Sequence, residues 1–168
     1  MARTIASNAR RPARVAASVA VVDSAVSAPT SGAHDSSLRR AIFGTTDVRG
    51  RIERGDILAR KALDVVGRTV DLPLDTIASL IGTSTRTINR RLAKNDRLTP
   101  SEADRMFRLA RVVDLAAEMI GDSTRALRWL HTASRYLGDR TPLEMLGTEI
   151  GTQLVEESLC AIAFGGVG

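Results

Sequence analysis

The 168-residue sequence holds a single cysteine, Cys160, so no internal disulfide can form and no cysteine-based metal site can be assembled. Such usage fits a reducing, cytoplasmic compartment. The lone thiol is expected to be a small buried hydrophobe rather than a nucleophile. Long apolar runs are also missing: none reaches the roughly 18 residues needed to cross a bilayer, and no membrane partner is expected. Histidine is scarce, and neither His34 nor His131 has the companions of a nucleophilic or metal-ligand set. No phosphate loop, dinucleotide fingerprint or His-Glu-x-x-His pattern occurs. Catalysis, a bound metal and a cofactor are therefore not expected. Lysine is nearly absent, two residues against 22 arginines. A GC-rich coding sequence accounts for that bias without any function, although the guanidinium fork also suits phosphates and base edges.

What charge there is falls unevenly. Residues 1–40 carry a net +4, residues 41–98 another +4, and residues 99–168 a net −3, matching the overall +5. A basic first half beside an acidic last third points to two surfaces with different partners. Residues 1–40 are rich in Ala, Ser, Val and Arg without a sustained helical stripe, and read as a disordered basic leader able to touch phosphates nonspecifically.

From about Ala41 the pattern becomes helical, with Ile52, Leu58, Ala62, Leu63, Val66 and Val70 as its apolar positions. Asp71-Leu72-Pro73 breaks it, because proline disfavours helix in the residue before it. Thr99-Pro100-Ser101-Glu102 reads as a capping box with proline at the first helical position. It opens a long helix striped by Met106, Leu109, Ala110, Val113, Ala116 and Ala117 and ended by Gly121-Asp122-Ser123. A short helix through Trp129 follows, then a second capping box at Thr141-Pro142-Leu143-Glu144. A final helix from about Glu149 to Phe164 is expected to bury Ile150, Leu154, Val155, Leu159 and Ile162. Strand-type alternation is nearly absent, so the predicted class is all-α.

Residues 74–93 have the spacing of a helix-turn-helix. Ala78 is small where two helices must cross, Gly82 follows in the turn, and Ile88 falls on the buried side of the second helix. Ile77, Ile81 and Leu92 complete the packing, and Thr83 or Ser84 can cap the second helix. With Thr85, Ile88 and Leu92 inward, Ser84, Arg86, Thr87, Asn89, Arg90 and Arg91 are left outside. Arginine can grip guanine edges or phosphates, asparagine can pair with adenine, and hydroxyls serve either. Lys94 and Arg97 extend the basic run. The simpler reading, a helical hairpin with a solvated basic face, has the same spacing.

Beyond that segment the chain reads Arg125-Ala126-Leu127-Arg128-Trp129-Leu130, Leu137-Gly138, Thr141-Pro142-Leu143-Glu144, Leu146, Gly151 and Phe164-Gly165. This series closely resembles the C-terminal toxin-binding domain of the Xre/MbcA/ParS antitoxin family. Residues 46–120 resemble that family's Xre-type N-terminal domain, above all in Ile77 to Leu92 and Arg97 to Glu102. The resemblance spans roughly residues 46–165. It implies a basic leader (1–40), an Xre-like DNA-binding domain (41–115) and a small helical toxin-binding domain (116–168).

By the same resemblance the chain is an antitoxin of a type II toxin–antitoxin pair. It would neutralise a RES-domain toxin, a class that degrades NAD or uses it for ADP-ribosylation, by covering the toxin's NAD cleft. It would also repress its own operon as a homodimer on operator DNA. Trp129, Leu130, Leu137, Pro142, Leu143 and Leu146 are expected to be architectural, with Trp129 filling the core. Direct contact with the toxin is expected of Glu156, Glu157, Phe164, Gly165, Gly166 and Val167, the tail threading into a cleft behind an aromatic anchor. A frayed terminus and a solvated acidic face are the simpler alternatives there. Three departures stand out: Arg91 where an apolar residue is common, His131-Thr132-Ala133-Ser134 in place of a Pro-Asn turn, and Asp139 where a second glycine is usual. Two other readings are a stand-alone regulator lacking a cognate toxin and a purely protein-binding module.

Overall fold

The computed structural model describes residues 37–165, and the whole of that segment is helical in architecture. The expected leader through Ser36, His34, Gly166 and Val167 lie outside the described residues. In order come α1 (Leu38–Phe43), α2 (Val48–Glu53), α3 (Ala59–Val70), α4 (Leu74–Leu80), α5 (Thr85–Lys94), α6 (Pro100–Ile120), α7 (Ser123–Leu130), a 3₁₀ turn at Arg135–Leu137, α8 (Pro142–Met145) and α9 (Glu149–Ala163). Among the described residues there is no strand, only isolated bridges between Leu58 and Arg97 and between Ser134 and Arg140.

The boundaries follow local chemistry. Asp71 adopts a left-handed φ of 54° and stops α3 two residues before Pro73. Both capping boxes form: Thr99 and Thr141 accept from the amides of Glu102 and Glu144, whose carboxylates reach back to the threonine amides at 2.8 Å. Each such cap stabilises its helix by about 1 kcal/mol. Gly121, at φ 75°, ends α6, and Asp122 caps α7 through the Arg125 amide at 2.6 Å.

α6 is the central element, packing against α1, α2, α3, α7 and α9. Its buried set, Ala103, Met106, Leu109, Ala110, Val112, Val113 and Ala116, extends beyond a single stripe, as a helix covered on several sides requires. It runs unbroken through residues 115 and 116. α1 is integral to this core: Leu38, Ile42 and Phe43 are buried, and Phe43 meets Phe107 edge to face at 5.3 Å. Asp114 on α6 anchors the start of α1, accepting from the Ser37 hydroxyl (2.6 Å), the Leu38 amide (2.7 Å), and the Arg39 amide and Nε (3.1 and 2.9 Å).

The structure corrects several sequence expectations. The segment after Ala41 is three short helices, because Gly44 and Gly55 take positive φ and interrupt it, and Leu58 is left exposed. In α9, Gly151, Thr152, Val155 and Leu159 are buried. Ile150, Leu154 and Ile162 are instead 72%, 39% and 38% exposed. The reason is geometric: residues five apart are turned by about 140° on a helix, so Ile150 and Val155, or Leu154 and Leu159, cannot share one face. Cys160 is exposed rather than buried. Trp129 is half-buried at the edge of the core, where Leu130, Leu137, Pro142, Leu143 and Leu146 are buried as expected.

Candidate functional sites

α4 and α5 form the helical pair read from the sequence. Ile77, Ala78, Ile81 and Ile88 are buried between them and their neighbours. Gly82 turns the chain at φ 73°, and a Cβ there would lie 1.3 Å from the Nη1 of Arg105. That guanidinium covers the turn and donates to the Ile81 carbonyl at 3.2 Å. Ser84, rather than Thr83, caps α5, accepting from the Thr87 amide at 3.2 Å. The other end is held by Arg60, which donates to the Leu92 carbonyl at 2.7 Å. Both ends of α5 are thus tied to the scaffold, and its outer face is held in one orientation.

On that face Ser84, Arg86, Asn89, Arg90 and Lys94 are exposed; Thr87 is half-buried, its hydroxyl 3.0 Å from that of Ser84. Arg86, Arg90 and Lys94 recur every four residues and so form one row along the helix. Among the described residues none of the three makes an ion pair, and the like-charge spacing costs the helix a few tenths of a kcal/mol per pair. An anion laid along the row would remove that cost. Arg97 extends the surface but pairs with Asp56 at 3.1 Å.

Arg91 is placed differently. Its guanidinium turns inward, bonding the Arg97 carbonyl and meeting both oxygens of Glu102 at 3.2 and 3.3 Å. The two side chains are only 12% and 9% exposed. Glu102 is the same carboxylate that closes the capping box on the Thr99 amide. Arg91 therefore links the end of α5 to the first turn of α6 and is not offered to solvent with the other five. The departure seen at this position in the sequence has a packing role, with Leu92 half-buried beside it.

The C-terminal residues divide as clearly. Glu156 pairs with Arg111 of α6, and Glu149 with Arg108, so two ion pairs fasten α9 along α6. Glu157 and Phe164 face outward, Phe164 being 86% exposed, and Gly165 turns at φ 71°. The sequence reading missed the structural use of Glu156. Arg108 and Arg111 one turn apart, and Glu149 and Glu156 two turns apart, were the available signal, but periodicity does not say which helix faces which. Gly151 lets α9 begin directly beneath α8, since a Cβ there would stand 2.0 Å from the Met145 carbonyl oxygen. At the altered loop, Gly138 and Asp139 both take positive φ, 68° and 58°. A second glycine at the latter position would be conformationally natural, and aspartate is among the few residues that tolerate it.

Among the described residues no helix is long and apolar enough to cross a membrane, and no group of three His, Cys, Asp or Glu could hold a metal. Residues 51–111 match the Antitoxin Xre-like helix-turn-helix domain, and residues 115–165 match the Antitoxin Xre/MbcA/ParS C-terminal toxin-binding domain. The chain is similar to Antitoxin Xre of Yersinia enterocolitica, 32% identical over 127 residues that cover 73% of this chain and 85% of that protein. Antitoxin Xre of Pseudomonas putida is 39% identical over 80 residues, 48% of this chain and 50% of the relative, so the chain spans half of that protein's length.

Proposed function

From the premise that this chain belongs to the Xre/MbcA/ParS antitoxin family, we propose that it neutralises a RES-domain toxin and represses the operon encoding both. The toxin would be an NAD-directed enzyme in the same cytoplasm, and the antitoxin itself a non-catalytic regulator. The observation that carries the reading is the unpaired row of Arg86, Arg90 and Lys94 on a helix fixed at both ends, on the same chain as a region matching a toxin-binding domain. The row suits DNA: cations at one-turn spacing meet phosphates or guanine edges, while Asn89, Ser84 and Thr87 offer hydrogen bonds to bases. Two copies reading half-sites one DNA turn apart would multiply the affinity of each, which supports a homodimer on operator DNA. The division into a reader (41–115) and a toxin-binding part (116–168) is proposed as one of function, carried on a shared helix.

On the toxin side, the exposed Phe164 and the glycines after it are the proposed plug for the NAD cleft. Glu157 is free to face a basic group of the toxin, whereas Glu156 would have to leave Arg111 to do so. The test is co-expression with the product of each adjacent gene, affinity capture and intact mass. A stable complex with a neighbour that is toxic alone supports the proposal, and its mass gives the stoichiometry. If neither neighbour is toxic or captured, the protein is better described as a stand-alone regulator. Removing residues 164–168 should weaken protection from the toxin while leaving DNA retention unchanged, and full protection by the truncated chain would refute the plug.

A further inference from the structure

α9 carries an exposed seam on the side away from the core. Ile150, Leu154, Glu157, Ala161 and Phe164 follow one another at intervals of four, three, four and three residues. At 3.6 residues per turn these positions fall within an arc of roughly 80°, opposite the buried Val155 and Leu159. Ile150 and Phe164 at the two ends are the most exposed large apolar side chains among the described residues. Four of the five positions are thus apolar, and the fifth, at the centre, is a carboxylate with no ion pair among the described residues.

The central charge decides what can lie on this face. The seam is symmetric about Glu157, with Ile150 matched to Phe164 and Leu154 to Ala161. Packing it against a second copy, parallel in register or antiparallel about a two-fold axis, brings Glu157 against its own counterpart. Two carboxylates opposed in the middle of an apolar contact disfavour that assembly, as polar residues placed in helical seams do. A partner of different sequence has no such difficulty if it presents an apolar surface with a lysine or arginine at its centre.

We infer that this seam is the surface on which the toxin docks, Ile150, Leu154, Ala161 and Phe164 supplying apolar contact and Glu157 selecting a basic side chain of the toxin. This rests on the antitoxin reading and on the match of residues 115–165 to a toxin-binding domain. It places recognition along the length of α9, with the tail as its continuation, and gives Glu157 a second role in preventing self-association.

The experiment measures binding of the full chain to the purified product of the adjacent toxic gene. Leu154→Asp is expected to weaken binding at least 100-fold and Glu157→Arg at least tenfold, with helical content and DNA retention at low salt unchanged. Glu157→Leu, which makes the seam wholly apolar, should make the free chain self-associate further in sedimentation. Wild-type affinity in both charged variants would overturn the inference while leaving the antitoxin reading intact. Dissociation of a toxin-free oligomer by Leu154→Asp would overturn it in favour of a second copy. If the wild-type chain neither binds nor neutralises the neighbour's product, the antitoxin reading itself fails and the seam falls with it.

Discussion

Adjacent arginines on α5 have opposite fates, and they are separable by experiment. Arg90 stands in the exposed row; Arg91 is held by Glu102 and the Arg97 carbonyl. A phosphate contact releases counterions, so Arg90→Ala should reduce the slope of log affinity against log salt by about one while sparing thermal stability. Arg91→Met should instead lower stability by about 3 kcal/mol, because it leaves Glu102 buried without its cation. Any loss of DNA affinity in that variant should come with an unchanged salt slope, since α5 is loosened rather than stripped of a contact. Gel shifts on the chain's own promoter across a salt series, beside thermal melts, distinguish the two. An unchanged slope for Arg90→Ala would remove that residue from the phosphate contacts.

At the scale of elements, the two glycines with crowded surroundings predict different costs. Gly151→Ala meets a backbone carbonyl 2.0 Å from the new Cβ, which cannot yield without moving α8 from α9. An overpacking cost of about 1–3 kcal/mol follows, seen as a fall in Tm of several degrees. Gly82→Ala meets the movable end of Arg105, but it also forces alanine into a left-handed turn at φ 73°, costing about 1–2 kcal/mol. Its effect should appear in DNA binding as well as in melting, because that turn sets the start of α5. The helices themselves were largely legible in the sequence: two capping boxes, the break before Pro73 and the Ala78–Gly82–Ile88 spacing all stand where read. What was not legible is which face of a helix meets which neighbour. Ile150, Leu154 and Ile162 look like core residues until α9 is seen to bury Gly151, Thr152, Val155 and Leu159 instead. Composition also marks Arg91 and Glu156 as surface charges. Only the position of α6 reveals that they are its fasteners.

At the scale of the whole molecule, the two matched regions, 51–111 and 115–165, meet inside α6. Asp114 lies at that junction and holds α1 through hydrogen bonds of 2.6 to 3.1 Å. Asp114→Ala should release the start of α1 and expose Leu38, a loss of about 1–3 kcal/mol on unfolding. Faster proteolysis near Leu38 at unchanged toxin binding would be its signature, and undiminished protection would show that α1 is held by its apolar contacts alone. The same geometry restricts how such proteins can be recombined. A chimaera joined at residue 113 would cut α6 in mid-turn, part Asp114 from the helix it was built to anchor, and inherit half of each core. A graft running from Thr99 to Gly165 would carry α6 whole, with Arg108 and Arg111 still facing Glu149 and Glu156. Exchange of toxin specificity between relatives should therefore succeed at the turn before α6 and fail at the seam between the two sequence families.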